Sequence, residues 1–413
     1  SKHNWLMKYK VIRNEKYDFI GQSYSTIYPN IHKYPATMIP QIGIELFKEF
    51  EIKRGKLLDP YCGSGSSFTV GLDRGLTEMY GFDINPLAVL ISRAKFTKVD
   101  IEKAKEIRRQ LRNRVYEFIK IEDNLKKIEI PQHYNVDFWF SKVVLQNLSV
   151  LKHFIDKIQI DIRRLFLVPL SETIRECSYT RNHEFKLYRI KPEEILQFNP
   201  DVFGVYFDKL NKVIDIYEKY YLPKLNEVKI DISYSKFPKK ENEFDIVLTS
   251  PPYGDSFTTV AYGQFSMFSN QWFGIKYARQ IDKMLMGGSV VKEIYPNSII
   301  TDFINEISKK SIRRALEVSS FYFDLDKSIK DVANSIKKRG KIIYIVGNRT
   351  VKDIQLPTDQ FIAERFENYG LRHIITYERL LGNKAMPLQN SPSNKVGQRK
   401  GTMTKEYIVV CEK

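Results

Sequence analysis

Hydrophobic and polar positions follow two different periods along the chain. Lys56-Leu57-Leu58-Asp59 predicts a short buried β-strand, Met79-Tyr80-Gly81-Phe82-Asp83 the next strand, and Val228-Lys229-Ile230-Asp231-Ile232 a further strand-like segment. Phe244-Asp245-Ile246-Val247-Leu248 and Lys341-Ile342-Ile343-Tyr344-Ile345-Val346 predict two more. Helical spacing fills the gaps: Ser66 to Arg74, Asn85-Pro86 through Lys95 with proline in the first turn, and 359–369 ending at Gly370. A further helical stretch covers 303–338, with Ile304, Ile307, Ala315, Val318, Leu325, Ile329, Val332 and Ile336 as core positions. Leu371 to Tyr377 pairs with Glu406 to Cys411 as a closing hairpin. The opening order of strand, glycine loop, helix, strand and helix predicts a doubly wound, mostly parallel α/β sheet.

That order breaks after residue 100. Residues 101–222 read as a helical insertion, with Ala104, Ile107, Leu111, Val115 and Phe118 on one stripe and Arg108, Arg109, Arg112 and Arg114 on the polar face. The sheet domain is therefore expected to be discontinuous, 1–100 and 223–413. Gly382 to Met403, rich in Gly, Ser, Pro, Asn and Lys, reads as a long loop.

Composition narrows the partners. A formal charge of +17, from 66 Lys+Arg against 49 Asp+Glu, points to a polyanion such as nucleic acid. Cys62, Cys177 and Cys411 are too scattered for a disulfide scaffold or a zinc site, so no metal is expected and a reducing cytoplasm is. No apolar run reaches membrane-spanning length, and the first residues form no apolar secretion segment.

Candidate chemistry concentrates in two loops. Thr249-Ser250-Pro251-Pro252-Tyr253 closes the strand at 244–248. Two prolines carry no N–H donors and hold the backbone extended, leaving carbonyls free to accept. With the Ser250 hydroxyl and the Tyr253 ring beside them, a planar base bearing an amino group could be held and stacked. Asp59-Pro60-Tyr61-Cys62-Gly63-Ser64-Gly65 is the second loop, where glycines permit close backbone approach to a ligand. Phe68 stands where a dinucleotide fingerprint needs its third small residue, and no Gly-Lys-Ser/Thr follows, so nicotinamide and phosphate-loop readings are disfavoured. Asp83 ends the next strand, placed to accept ribose hydroxyls.

Together, Asp59 to Gly65 and Thr249 to Tyr253 resemble the motif pair of S-adenosylmethionine-dependent DNA amino-methyltransferases. The Ser-Pro-Pro-Tyr form most resembles the cytosine-N4 branch of restriction–modification enzymes. His32-Lys33-Tyr34-Pro35-Ala36-Thr37-Met38-Ile39-Pro40 and Gly81-Phe82-Asp83-Ile84-Asn85-Pro86 are similar to segments that such enzymes place around the cofactor. The resemblance implies a Rossmann-like methyltransferase sheet. It implies S-adenosyl-L-methionine held by Tyr34, Pro35, Asp59, Tyr61, Gly63, Gly65, Asp83, Ile84 and Asn85, with Asp231 a candidate adenine contact. It also implies a target base held by Ser250, Pro251, Pro252 and Tyr253. The substrate would be double-stranded DNA, with the base flipped out and methylated by direct in-line transfer. A cognate restriction endonuclease would act on the same site without forming a complex.

Two segments are candidates for reading the DNA. One is the insertion around Arg175, Arg181, Lys186 and Arg189, where basic residues alternate with aromatics; the other is Asp255, Thr258, Tyr262 and Gln264 just after the double proline. No Pro-Cys dipeptide supplies a C5-cytosine nucleophile. Adenine N6, an RNA amino-methyltransferase and a basic binding protein with a decayed site stay open as alternatives, as does the oligomeric state.

Overall fold

A computed structural model describes residues 7–23, 27–35, 38–382 and 405–413. Ala36, Thr37 and positions 383–403 of the expected loop lie outside the described residues. The strands described are β1 Val11–Arg13, β2 Lys56–Asp59, β3 Glu78–Asp83, β4 Lys229–Tyr234, β5 Phe244–Thr249, β6 Ile336–Val346, β7 Thr350–Val351, β8 Ile354–Gln355, β9 Arg372–Leu380 and β10 Lys405–Glu412. One sheet runs in the order β1-β9-β10-β6-β5-β2-β3-β4, while β7 and β8 form a separate ribbon. Strands β6, β5, β2, β3 and β4 are mutually parallel. β10 is antiparallel to both β6 and β9, which confirms the closing hairpin. The chain builds outward from β2 to β4, then returns to lay β5 on the other side of β2. That reversal is a topological switch point, where a crevice opens at the carboxyl ends of the two strands.

Over the central strands both faces of the sheet are covered, so alternate residues there enter different cores, whereas β4 buries only Ile232. Leu57, Ile246, Leu248, Ile343 and Ile345 join one apolar cluster; Leu58, Val247, Ile342, Tyr344 and Val346 join the other. The helices Ile101–Ile119, Lys142–Ile155, Ile160–Glu176 and Val202–Ile216 of the insertion share the first cluster with the helix Pro86–Phe96. Ala104, Leu111 and Val115 are buried there as the stripe predicts.

The sequence pattern misplaces one boundary. The stretch 303–338 is two helices, Thr301–Lys310 and Ile312–Ser335, divided at Ser311, whose side chain caps the second by accepting from the Arg314 N–H. Ile336 opens β6 instead of ending the helix. An apolar residue at a helix–strand junction fits either period. Among the described residues no helix is long and apolar enough to cross a membrane.

Candidate active site

β2 and β5 are neighbours in register, so Asp59 and Thr249 reach the same edge of the sheet together. The Thr249 hydroxyl donates to Asp59 Oδ1 at 2.5 Å. Asp59 also accepts from the Tyr61 N–H at 3.0 Å and from the Ser67 hydroxyl at 2.6 Å. The two loops singled out in the sequence are thereby pinned to one buried carboxyl. Burial pushes that carboxyl up to about 6, against the pull of its three donors.

The glycine loop owes its shape to Asp83 at the end of β3. Its carboxylate accepts from the Gly63 N–H at 2.9 Å and the Asn85 N–H at 2.8 Å. Burial raises it to about 6 as well, opposed by these backbone donors. Gly65 has φ +93°, and a Cβ there would lie 2.5 Å from the Phe96 ring, so this glycine serves the close packing of two helices. Phe68, which breaks the dinucleotide fingerprint, is fully buried beneath Gly81, where an added Cβ would sit 2.4 Å from its ring. The small residue has in effect moved from the helix to the facing strand.

A cavity of about 470 Å³ opens beside these loops. Among the residues expected at the cofactor or the base, Tyr34, Pro35, Asp59, Tyr61, Gly63, Asp83, Ile84, Ser250 and Pro252 line it, together with Tyr262. Tyr34 and Tyr262 stack at 5.9 Å between centroids. The Ser250 hydroxyl makes no hydrogen bond among the described residues and opens on this space. Pro251 and Tyr253 are not part of the wall; the partly exposed Tyr253 donates its hydroxyl to Glu406 Oε2 at 2.7 Å.

Several expectations are corrected. Gly65 lies behind the cavity, as just described. Asn85 is buried there too, its amide donating to Tyr34 Oη at 3.1 Å and Ser266 Oγ at 3.0 Å and accepting from Asn270. It braces the wall and does not line it. Asp231 is exposed in mid-β4, opposite Tyr80 on β3; the cavity is reached only by Ser235 to Lys239, beyond the end of that strand. Arg175 is not available to a phosphate: it is buried, and its guanidinium donates to the carbonyls of Phe265, Glu184 and Phe185. Asp255 is buried against Arg349 at 3.2 Å and also accepts from the Thr258 hydroxyl at 2.8 Å. Gln264 accepts from the Leu187 N–H at 3.1 Å.

Arg181, Lys186 and Arg189 do reach the surface, on a hairpin closed by the Thr180–Arg189 bridge. Arg181 is held near Glu184 at 3.9 Å, and Arg189 lies 4.2 Å over the Phe138 ring while donating to the Phe138 carbonyl. The Lys186 side chain has no hydrogen bond or ion pair among the described residues.

Sequence reasoning missed one wall entirely. Asp324, Lys327, Ser328 and Asp331 of the helix Ile312–Ser335 face the cavity, and Asp324 accepts from the Gly287 N–H at 2.8 Å, bracing the Met284–Met286 segment. Their three- and four-residue spacing was a visible signal, because it marks one polar face. A polar face next to a cavity and one next to bulk water carry the same pattern.

The crevice at the β2/β5 switch point and the ligand-sized cavity above it define a doubly wound, Rossmann-like α/β protein with a cofactor-type pocket. No protein-family model matches the chain. The Type II methyltransferase M.MvaI of Kocuria varians is 39% identical over 438 aligned positions, covering 98% of this chain and 95% of that protein. The chain belongs to the Type II methyltransferase family. A second relative, the Type II methyltransferase M.MjaII of Methanocaldococcus jannaschii, is 35% identical over 91 residues, 22% of this chain and 17% of the relative. Two structures of the rRNA methyltransferase aviRa from Streptomyces viridochromogenes align over 92% and 95% of the chain at 11% identity. Their TM-scores of 0.31 and 0.32 are too low to bear on the site.

Proposed function

We propose that the protein is a site-specific DNA methyltransferase acting on the exocyclic N4 of a cytosine flipped out of duplex DNA, the modification half of a restriction–modification system. One observation carries the reading. The Thr249–Asp59 hydrogen bond brings the glycine loop and the double-proline loop to one cavity, which Asp83 and Ser250 both line.

The cavity suits S-adenosylmethionine. Asp59, Asp83, Asp324 and Asp331 share the wall with Lys236, Lys239 and Lys327, a mixed charge that suits a zwitterionic cofactor bearing a sulfonium. Asp83 lines the space with oxygens able to accept ribose hydroxyls, and Phe237, Pro238, Met284 and Met286 give apolar faces to a base. When bound, S-adenosylmethionine supplies an electrophilic methyl group on a cationic sulfur. Tyr34, Tyr61, Gly63 and Ile84 would hold it beside Asp83. The residues of the double-proline loop do the rest. The Ser250 oxygen, beside Pro252 on the cavity wall, accepts an N–H of the base amino group and aims its lone pair. The Pro251 carbonyl, which does not line the cavity, is assigned to the second N–H on the family resemblance alone. Rate enhancement then comes from orientation and preorganised acceptors, without a covalent enzyme intermediate. The partly exposed ring of Tyr253 gives the extruded base a face on which to stack.

The net charge of +17 suits a duplex phosphate backbone, with Arg181, Lys186 and Arg189 as contacts from the insertion. Cytosine is preferred to adenine on the Ser-Pro-Pro-Tyr resemblance. The substrate places the protein in the cytoplasm, acting at the same DNA site as a separate endonuclease. Incubation with methyl-labelled S-adenosylmethionine and either duplex DNA or total RNA tests the substrate class. Label is expected in the DNA; label in RNA alone overturns the proposal.

A further inference from the structure

Resting on the methyl-transfer reading above, we propose that Glu406 and Arg379 are positioning residues for Tyr253. They complete a buried hydrogen-bond relay that ties the ring at the double-proline loop to the N-terminal segment of the chain.

The relay is continuous. Tyr253 donates its hydroxyl to Glu406 Oε2 at 2.7 Å, and Glu406 Oε1 accepts from Arg379 Nη1 at 2.5 Å. Arg379 spends its other donors on backbone: Nε reaches the Tyr17 carbonyl at 2.7 Å and Nη2 the Asp18 carbonyl at 3.1 Å. Asp18 is itself fixed, accepting from Arg13 Nη1 at 2.9 Å and from the Leu380 N–H at 2.8 Å. Arg13 belongs to β1, which pairs with β9 at the far edge of the sheet from the cofactor-side strands. Glu406 and Arg379 face each other across β9 and β10.

Stability alone does not account for this arrangement. Arg379 and Glu406 are only 4% and 7% exposed. Desolvating such a pair costs about as much as its attraction returns, and an apolar cross-strand pair would serve the hairpin as well. What an apolar pair cannot supply is an acceptor aimed at one tyrosine hydroxyl in the loop that follows Ser250. With the hydroxyl held, the Tyr253 ring is kept in place next to Pro252, which lines the cavity. The N-terminal segment thereby acts at the site without lining the cavity.

The test is a double-mutant cycle with Tyr253→Phe and Glu406→Gln, a shape-preserving pair. The substrate is a duplex carrying the sequence that the wild type methylates. Each single variant is expected to lower kcat about 10- to 100-fold, the scale of a misoriented reacting group. S-adenosylmethionine affinity should stay within about twofold, and the double variant should be no slower than the slower single one. With 2-aminopurine in place of the target base, both single variants should shift the fluorescence of the complex to the same new level. Losses that multiply in the double variant overturn the relay. So does a Glu406→Gln variant whose melting temperature falls while kcat and fluorescence stay unchanged. A wild type that methylates no DNA strikes at the methyl-transfer reading itself; it is told apart by the wild-type control and removes both.

Discussion

Replacing Thr249 by valine removes one hydroxyl and little else. Thr249 is fully buried, and its hydroxyl donates to Asp59 at 2.5 Å. At pH 8 Asp59 is ionised, and a hydrogen bond to a buried charge is worth about 1.5–3 kcal/mol. Thr249→Val should therefore destabilise the fold by about 2 kcal/mol at that pH. The penalty depends on pH in a definite direction. Burial lifts the Asp59 carboxyl from 3.8 to about 6, so the native state takes up a proton more readily than the unfolded chain. The stability linked to this group is fully present below about 3.8 and lost as pH rises through 6, at a cost of about 3 kcal/mol. Removing a donor raises the carboxyl further and deepens that loss. At pH 5 the carboxyl is protonated, the bond is neutral, and the penalty should shrink to about 1 kcal/mol. Urea unfolding of wild type and variant at pH 8 and pH 5, with unchanged m-values, reads the difference directly. Equal penalties at the two pH values, or less than about 0.5 kcal/mol at pH 8, would refute the pinning of the two loops through an ionised Asp59.

Three further outcomes are expected. Ser250→Ala should lower kcat at least about tenfold while calorimetry shows S-adenosylmethionine affinity within about twofold, since Ser250 lines the cavity proposed to receive the target base; parallel loss of both would make the loop merely structural. Asp83→Ala should weaken cofactor binding, and wild-type affinity should fall as pH drops below about 6, because protonation removes the charge and turns one accepting oxygen into a donor. A titration flat from pH 8 to 5 would misplace the ribose. Gly65→Ala should cost about 3 kcal/mol or more in chemical denaturation, combining φ +93° with a Cβ 2.5 Å from Phe96; a loss below about 1 kcal/mol would contradict the packing role assigned to this glycine.

The central strands are the most legible in the sequence because both faces of the sheet are buried there. Lys56–Asp59 and the end of β3 at Asp83 were legible to the residue, since continuous apolar runs stop where the crevice begins. Asp59 and Asp83 stood out as polar residues at those ends. Three-dimensional partners were harder to read. Arg175 looks like a phosphate contact until the carbonyls around it are seen, and Asp255 like a base contact until Arg349 is placed against it. Asp324, Ser328 and Asp331 went unread because helical spacing shows a polar face without saying what it meets. Glu406 and Arg379 sit more than a hundred residues from Tyr253, and no local pattern announces that they meet.

The most direct measurement is single-molecule sequencing of genomic DNA from a methylation-free bacterium expressing the wild-type chain, with Ser250→Ala in parallel. N4-methylcytosine at one short sequence context, absent from the variant, is the predicted result. N6-methyladenine in its place would contradict the choice of base, and unmodified DNA from a host making soluble wild-type protein would contradict the convergence of the two loops on methyl transfer to DNA.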